Sequence, residues 1–380
     1  MNRRTILSLA ASSLMLASTL TPAWAQDTVK LPCVCELSGA GAAAGTNYRD
    51  GAKLAVEEIN ATGGILGKQI EMTDYDTATD PQTSRALVQK AIDDGAYVII
   101  GTVYSGSTIV NMLVAQQAGI PQFTGAEAPN ITQGGNPFIF RTAYGAQKGV
   151  PALTGYFKDT LKVTKIGVAW VNNDFGKGGR DVFVTEMAAA GIEIVADVPS
   201  EQGQADFAAD VSKLKESGAE AVFVYLNEEE SARILAEAKK QGLTAPMVGE
   251  VTLTGQKVID LAGEAAEGAI AHVGLTSKAP VPAIQEFAAK FNTAYGRETD
   301  HNGIKGYTAV YATKYVTEMV GSFDGQAFAD KMHGITLKAA EYPGMLLDTS
   351  WDDTGELSRE SFMIKVEGGQ QVVVGTIPAN

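Results

Sequence analysis

Short apolar, strand-like runs alternate with helix-like segments along the whole chain, and this alternation constrains the fold more than any other feature. The strand-like runs include AYVIIG (96–101), KIGVAWV (165–171) and AVFVYL (221–226). The segments between them have helical periodicity, and many end in glycine, as STIVNMLVAQQAG (107–119) does. Strands separated by helices of this length predict doubly wound parallel sheets with right-handed crossovers, which is an α/β fold.

The alternation falls into two series, and the second begins after FIFRTAYG (138–145). No flexible linker separates them, so the 380 residues predict two lobes joined by short crossings. Short strands are expected near the C-terminus, in 345–353 and 360–375. The carboxyl ends of both sheets would face a shared cleft, which is where open α/β sheets bind ligands.

The N-terminal segment has the features of a signal peptide. Arg3 and Arg4 precede an apolar stretch that is too short to span a membrane comfortably, and Ala23-Trp24-Ala25 matches an A-x-A cleavage site. We therefore expect residues 1–25 to be removed and the protein to be exported to the periplasm. The arginine pair also loosely matches a twin-arginine signal, although an ordinary Sec signal is the interpretation we favour.

The composition excludes several classes of partner. With 44 acidic and 30 basic residues the chain has a formal net charge of −14, which repels nucleic acid and anionic membrane surfaces.

Cys33 and Cys35 are the two cysteines. Because they are two residues apart on a predicted strand, the distance between their Cα atoms is at the limit that a disulfide can bridge. We therefore expect two buried apolar thiols. Small residues precede a lipid-modified cysteine, and they do not precede Cys33. We therefore expect a soluble protein and not a lipid-anchored one.

The sequence shows little sign of catalysis. The three histidines lie outside any motif, and there is no H-E-x-x-H, G-x-S-x-G or P-loop sequence. Ser105 lies in V-Y-S-G-S, which lacks the leading glycine of a nucleophile elbow. We expect no enzyme activity, no metal and no cofactor, and keep an exported enzyme as the lesser alternative.

A glycine-rich stretch, GAGAAAG (39–45), follows a strand and resembles a dinucleotide-binding turn. Its spacing is off by one, and no acidic residue follows in the expected place. The interpretation we favour is a loop that lets a ligand or the opposite lobe approach closely.

Polar residues at strand ends are the candidates for ligand contact. Ser105 and Gly106 follow a buried strand and begin a helix, where hydroxyls and unpaired N–H groups can bind an anion or dipole. Ser105 could equally cap its own helix.

Other strand ends carry Glu127, Phe175, Asn227 and Glu250. Charged side chains there are costly unless they bind something or face water. Glu250 is the stronger functional candidate, whereas Glu228–Glu230 is expected to be a solvated first helical turn. Phe175 could be a core residue or an aromatic cover for an apolar ligand.

Taken together, these segments resemble the periplasmic substrate-binding proteins of branched-chain amino acid ABC transporters, the leucine/isoleucine/valine-binding type. The resemblance covers nearly the whole mature chain and rests on long motifs in order: GAKLAVEEINATGGILGKQIE, DPQTSRALVQKAI, IIGTVYSGST, GAEAPNIT, DFGKG and LAGEAAEGA. It implies two lobes with a three-crossing hinge and a ligand clamped between them. The expected division is 26–143 plus 275–345 for lobe 1, and 144–274 plus 346–380 for lobe 2.

The resemblance also implies roles for particular residues. Ser105 matches the serine that binds a ligand carboxylate, and the backbone at Gly125, Ala126 and Glu127 matches the segment that holds the same zwitterion. Phe175 matches an aromatic before Gly-x-Gly. Glu250 matches the acid that pairs with a ligand ammonium group.

Three departures from the family pattern bear on the ligand. A second-lobe aromatic is replaced near Asn227, and Ala44 stands where many relatives have an aromatic. Glu127 stands where amino-acid binders usually carry threonine or serine. Like charges a few ångströms apart in a dry cleft are costly unless one is protonated or paired. We therefore hypothesise a small amphipathic ligand with a cationic or neutral polar end.

The function that the resemblance implies is capture of a solute and delivery to an inner-membrane ABC permease, by a protein that is a monomer. The default solute is a branched-chain or other hydrophobic amino acid. One alternative is that the ligand is an amine, an amide or an aromatic compound. The other is that the protein serves a membrane sensor instead of a permease.

Overall fold

The computed structural model describes residues 28–379, so the predicted signal peptide lies outside the described residues. The predicted α/β fold is confirmed: two lobes each contain a mainly parallel sheet flanked by helices. Among the described residues, no helix combines the length and the apolar character that crossing a membrane would require.

The first lobe is built on a five-stranded parallel sheet in the order β4-β2-β5-β6-β7, with β1 and β3 paired beside it. Its strands are β1 (Thr28–Lys30), β2 (Cys33–Cys35), β3 (Gln69–Glu71), β4 (Asp74–Asp76), β5 (Ile99–Ile100), β6 (Gln122–Thr124) and β7 (Ile139–Arg141). The helices that connect them are α1 (Ala42–Ala61), α2 (Pro81–Asp93), α3 (Ser105–Ala118) and α4 (Asn130–Gln133). Cys33 and Cys35 are buried free thiols on β2, an inner strand of this sheet.

The second lobe is built on a seven-stranded sheet in the order β17-β16-β12-β11-β10-β8-β9, in which β16 and β17 are antiparallel. Its strands are β8 (Lys165–Val171), β9 (Glu193–Ser200), β10 (Ala221–Tyr225), β11 (Met247–Gly249), β12 (Ile270–Val273), β16 (Ser361–Glu367) and β17 (Gln370–Ile377). Its helices are α5 (Ala146–Gly155), α6 (Asp174–Ala190), α7 (Ala208–Glu216), α8 (Glu228–Gln241), α9 (Val251–Thr254) and α10 (Gln256–Ala262). Every residue of β10 is buried, because a central parallel strand is covered on both faces.

The chain then returns to the first lobe through α11 (Pro282–Tyr295), α12 (His301–Val320) and α13 (Gly325–Met332). Helix α12 packs along α1 at very short range, since a Cβ atom at Gly51 would stand 1.9 Å from the carbonyl oxygen of Gly303. A small antiparallel sheet follows, formed by β13 (Thr336–Leu337), β14 (Thr349–Trp351) and β15 (Leu357–Ser358).

The three crossings therefore follow β7, β12 and β15. The exact lobe boundaries remain a prediction, but the contacts of Trp351 favour moving the last one. Its indole Nε1–H donates to the carbonyl oxygen of Arg141 at 2.7 Å, and its ring lies 6.2 Å from that of Phe123 in the first-lobe core. We propose that the third crossing lies near 359–360 rather than at 346.

The glycine-rich stretch also has a packing role within its own lobe. Most of it belongs to α1, which begins at Ala42, and a Cβ atom at Gly45 would stand 2.1 Å from the carbonyl oxygen of Glu36. The glycine thus lets α1 pack against the end of β2 in its own lobe. Ala44, beside this glycine, lines the cavity between the lobes, which agrees with a stretch that a ligand approaches closely.

Candidate functional site

A cavity of about 190 Å³ lies between the two lobes, at the carboxyl ends of both sheets. The first lobe contributes Val103–Ser107, Gly125 and Glu127, together with His301, Asn302 and Lys305 at the start of α12. The second lobe contributes Asn173–Phe175, Asn227, Glu228 and Thr252. The lobes approach closely at its rim, because a Cβ atom at Gly178 would stand 2.7 Å from Pro129.

Ser105 lies at the start of α3 and is buried. Its hydroxyl oxygen does not cap its own helix; it accepts from the backbone N–H groups of Ala128 at 3.2 Å and Glu127 at 3.4 Å. The oxygen thereby ties the β5–α3 turn to the β6–α4 loop. With its lone pairs used in this way, the hydroxyl hydrogen is left to donate to a group in the cavity.

Glu127 is paired with a lysine that the sequence reasoning missed. Lys305 Nζ lies 3.0 Å from Glu127 Oε1 and 3.3 Å from the carbonyl oxygen of Gly125, and the lysine is buried. A salt bridge therefore compensates the charge of Glu127, so pairing is realised at this position. The two residues are 178 positions apart, so no local pattern could have revealed the pair.

Glu250 lies just beside the main cavity and lines an adjoining cavity of about 30 Å³ with Glu127, His301 and Lys305. Its carboxylate accepts from the N–H of Thr252 at 2.9 Å and from the hydroxyl of the same residue. Burial and the nearby charge of Glu127 raise the pKa of Glu250 to about 8. In the absence of a further positive partner, this carboxyl group is therefore mostly protonated at neutral pH.

The expectation that Glu228–Glu230 form a solvated turn was wrong. Glu228 lines the cavity, and burial together with the charge of Asp300 raises its pKa to about 7. Glu230 is buried and accepts from the backbone N–H of Gly203 at 2.5 Å. Only Glu229, whose side chain is 45% exposed, has the expected position. Three successive acidic residues predict an exposed first turn of a helix. In the folded protein, however, Glu228 faces the cavity and Glu230 is buried against a neighbouring loop.

Phe175 forms the apolar wall of the second lobe. Its ring stacks on that of Tyr225 with centroids 4.3 Å apart, and one face of Phe175 borders the cavity. Both alternatives for this residue are thus partly realised, because the ring packs on the core of the lobe and also lines the cleft.

The remaining sequence candidates have different positions. Gly106, Gly125 and Asn227 line the cavity. Ala126 does not, because it packs with Met112 and other residues behind the loop, and its N–H donates to Thr124 Oγ1 at 3.1 Å. The family-based assignment of Ala126 to the ligand is therefore not supported by its position.

Glu36 is a second residue that the sequence analysis missed. It is fully buried at the end of β2, and its carboxylate oxygens accept from the N–H groups of Val103 at 3.1 Å and Tyr104 at 3.2 Å. Burial raises the pKa of Glu36 to about 7 despite these bonds. A possible signal was present, since CVCELSG places an acid directly after an apolar strand.

The arrangement suits binding of a small solute with one polar end and one apolar end. Polar side chains line the cavity from both lobes, and Phe175 of the second lobe supplies an apolar wall. Among residues 28–379, no cluster of three or more histidine, cysteine, aspartate or glutamate side chains could hold a metal ion.

A family model described as a periplasmic binding protein matches residues 28–371, which is most of the chain. The chain belongs to the type I periplasmic binding proteins of the branched-chain amino acid transporter family. One relative of this binding protein is the leucine-, isoleucine-, valine-, threonine- and alanine-binding protein of Pseudomonas aeruginosa. It is 27% identical over 357 residues, which cover 93% of each chain.

Two solved structures share the fold of this binding protein. One is the branched-chain amino acid transporter substrate-binding protein of Streptococcus pneumoniae in complex with isoleucine, with a TM-score of 0.83, 24% identity and coverage of 93% of this chain and 99% of that one. The other is a solute-binding protein of an ABC transporter from R. palustris in complex with benzoate, with a TM-score of 0.83, 21% identity and coverage of 93% and 97%. Proteins with this fold therefore accept more than one class of ligand.

Proposed function

We propose that this protein captures a small amphipathic solute between its lobes in the periplasm and delivers it, as a monomer, to an ABC permease of the inner membrane. Hydrophobic amino acids are the default class, because the Pseudomonas aeruginosa relative is named for binding them.

The observation that carries the proposal is the composition of the cavity walls. Ser105 and Glu127 of the first lobe lie across the cavity from Phe175 and Asn227 of the second. A volume of about 190 Å³ is below the range of drug-sized sites and suits a small solute.

The same arrangement supplies a mechanism. A ligand that contacts both walls binds the closed form better than any form in which the walls are separated, so it shifts the hinge equilibrium by the difference in affinity. Movement would be concentrated at the three crossings that follow β7, β12 and β15. The closed form would then be the one that the permease recognises.

Calorimetric titration of refolded protein, residues 26–380, with leucine, isoleucine and valine tests the default class. Refolding removes any solute that copurifies. Micromolar or tighter binding supports the amino-acid assignment. No heat with the three amino acids contradicts it and leaves amines, amides and aromatic acids as the classes to titrate next.

Small-angle scattering with and without a bound solute tests the closing mechanism, because closure reduces the radius of gyration. A solute that binds without any compaction would contradict it. Loss of uptake of the same labelled solute in a deletion strain supports delivery to a permease. Unchanged uptake would favour a sensor role.

A further inference from the structure

We propose that the solute is a small cation, an aliphatic or aromatic amine without a free carboxylate, recognised by Glu228 and Asn302 against the aromatic wall of Phe175. This inference rests on the proposed function and names the ligand class of the same cavity.

The first line of support is that five backbone donors near the cavity already have acceptors within the protein. The N–H groups of Val103 and Tyr104 donate to Glu36, and those of Glu127 and Ala128 donate to Ser105 Oγ. The N–H of Gly125 donates to the carbonyl oxygen of Thr102 at 2.9 Å. A ligand carboxylate placed at these N–H groups would have to compete with these bonds.

The second line of support is that Glu36 is itself a carboxylate built into this wall. It occupies the donors immediately before α3, where a bound anion would otherwise lie. A ligand carboxylate at the same N–H groups would have to displace Glu36, and any charge on Glu36 would oppose it.

The third line of support is the excess of acceptors facing the cavity. Of the described residues that line it, Glu127, Asp174 and Glu228 are acidic, and Lys305 is the single lysine or arginine. Lys305 already donates to Glu127 and Gly125. The cavity therefore carries negative charge that a cationic ligand would complement.

An unpartnered buried acceptor points independently to a donor on the ligand. The Oδ1 atom of Asn302 is buried and accepts no hydrogen bond, although the side chain lines the cavity and is 1% exposed. Buried polar atoms normally have a hydrogen-bond partner. An ammonium group of the ligand would supply the donor that this oxygen lacks. The raised pKa of Glu228 agrees, because burial and the charge of Asp300 oppose its ionised form more than Lys257, whose Nζ lies 3.7 Å from Glu228 Oε2, supports it.

Four ligands that share one branched carbon skeleton separate the possibilities: 3-methylbutylamine, L-leucinamide, L-leucine and 4-methylpentanoate. We expect calorimetry on refolded protein at pH 6.5 to give at least tenfold tighter binding for the two carboxylate-free cations than for leucine. We expect 4-methylpentanoate to bind least. Leucine or 4-methylpentanoate binding as tightly as the amines would overturn the inference but leave the proposed solute-binding function intact.

Two variants test the residues. Glu228→Gln should weaken amine binding about tenfold and leave 4-methylpentanoate unaffected, whereas Glu229→Gln, one position away with an exposed side chain, should change neither. Equal effects of the two substitutions would overturn the role of Glu228. Glu36→Ala should reduce the preference for amines over leucine by freeing two backbone donors, and an unchanged preference would overturn the role given to Glu36.

Absence of heat with all four ligands would also overturn the amine assignment. Compaction on addition of some other solute, measured by scattering, would then still support solute capture. Failure of both measurements would overturn the proposed function as well.

Discussion

The carboxylate of Glu356 beside the hinge and that of Glu250 beside the cleft are both buried, but their surroundings differ. Glu356 accepts from Thr132 Oγ1 at 2.8 Å, Arg141 Nε at 2.7 Å and the N–H of Gly145 at 3.2 Å, and also from Gln147. The hydrogen-bond donors of Glu250 come from one residue, Thr252.

This difference separates a structural carboxylate from a binding one. The donors to Glu356 come from β7, α4, the first crossing and the start of α5, so its bonds hold the first lobe to the segment that leaves it. Among residues 28–379 Glu250 forms no ion pair, and its pKa is raised by burial and Glu127 despite the charge of Lys305, so its ionised form is poorly supported. A buried carboxyl group whose ionised form has few partners is suited to interact with a ligand.

The largest effect is expected from removing the hinge carboxylate. Glu356→Ala leaves Arg141, which is fully buried, without its ionic partner, and breaking a buried pair in this way costs about 3–5 kcal/mol. Urea denaturation should show the loss. The matched control, Glu264→Ala, removes an exposed partner of Lys239 and should have little effect. Comparable losses from the two substitutions would remove the distinction drawn for Glu356.

A smaller effect is expected from Lys305→Met in the cleft. Glu127 would lose its close cation, but its side chain remains 13% exposed to the cavity, so we expect a cost of about 1–3 kcal/mol. Adding Glu127→Gln should recover part of this loss, because the unpaired charge is then gone. Strict additivity of the two substitutions in a double-mutant cycle would contradict the pairing.

The pH dependence of stability should distinguish the cleft from the hinge. The folded pKa of Glu250, about 8, lies above its ordinary value of 4.5, so the protonated form stabilises the fold. That contribution is fully present below about pH 4.5 and is lost as the pH rises towards 8. Its slope is limited to about 1.4 kcal/mol per pH unit for one group. Glu250→Gln should flatten the decline in unfolding free energy over this window, and an unchanged slope would contradict the assignment.

The smallest effect is expected at the junction of the two first-lobe loops. Ser105→Ala leaves the N–H groups of Glu127 and Ala128 without their side-chain acceptor, which costs about 1 kcal/mol because the cavity admits water. The affinity for solute should fall as well, since a hydroxyl donor is lost. An unchanged urea midpoint together with unchanged affinity would leave Ser105 without either role.

Much of the fold and part of the site were predictable from local patterns. Alternating periodicity predicted the parallel sheets, and the rule that ligands bind at carboxyl ends of strands located Ser105, Phe175 and Asn227 at one cavity. What local patterns could not predict was which charges meet. Lys305 comes from a helix 178 residues beyond Glu127, and no periodicity relates them.

The sequence alone determined the alternating elements and the edge at which polar residues collect, because hydrophobic periodicity and the parallel arrangement of strands are local properties. Tertiary structure decided the electrostatics of the site. The return of α12 to the first lobe brings Lys305 to Glu127, and the packing of α1 on β2 buries Glu36 against the turn before α3. Charges in a cleft depend on distance and burial, and both are set by segments far apart in the chain.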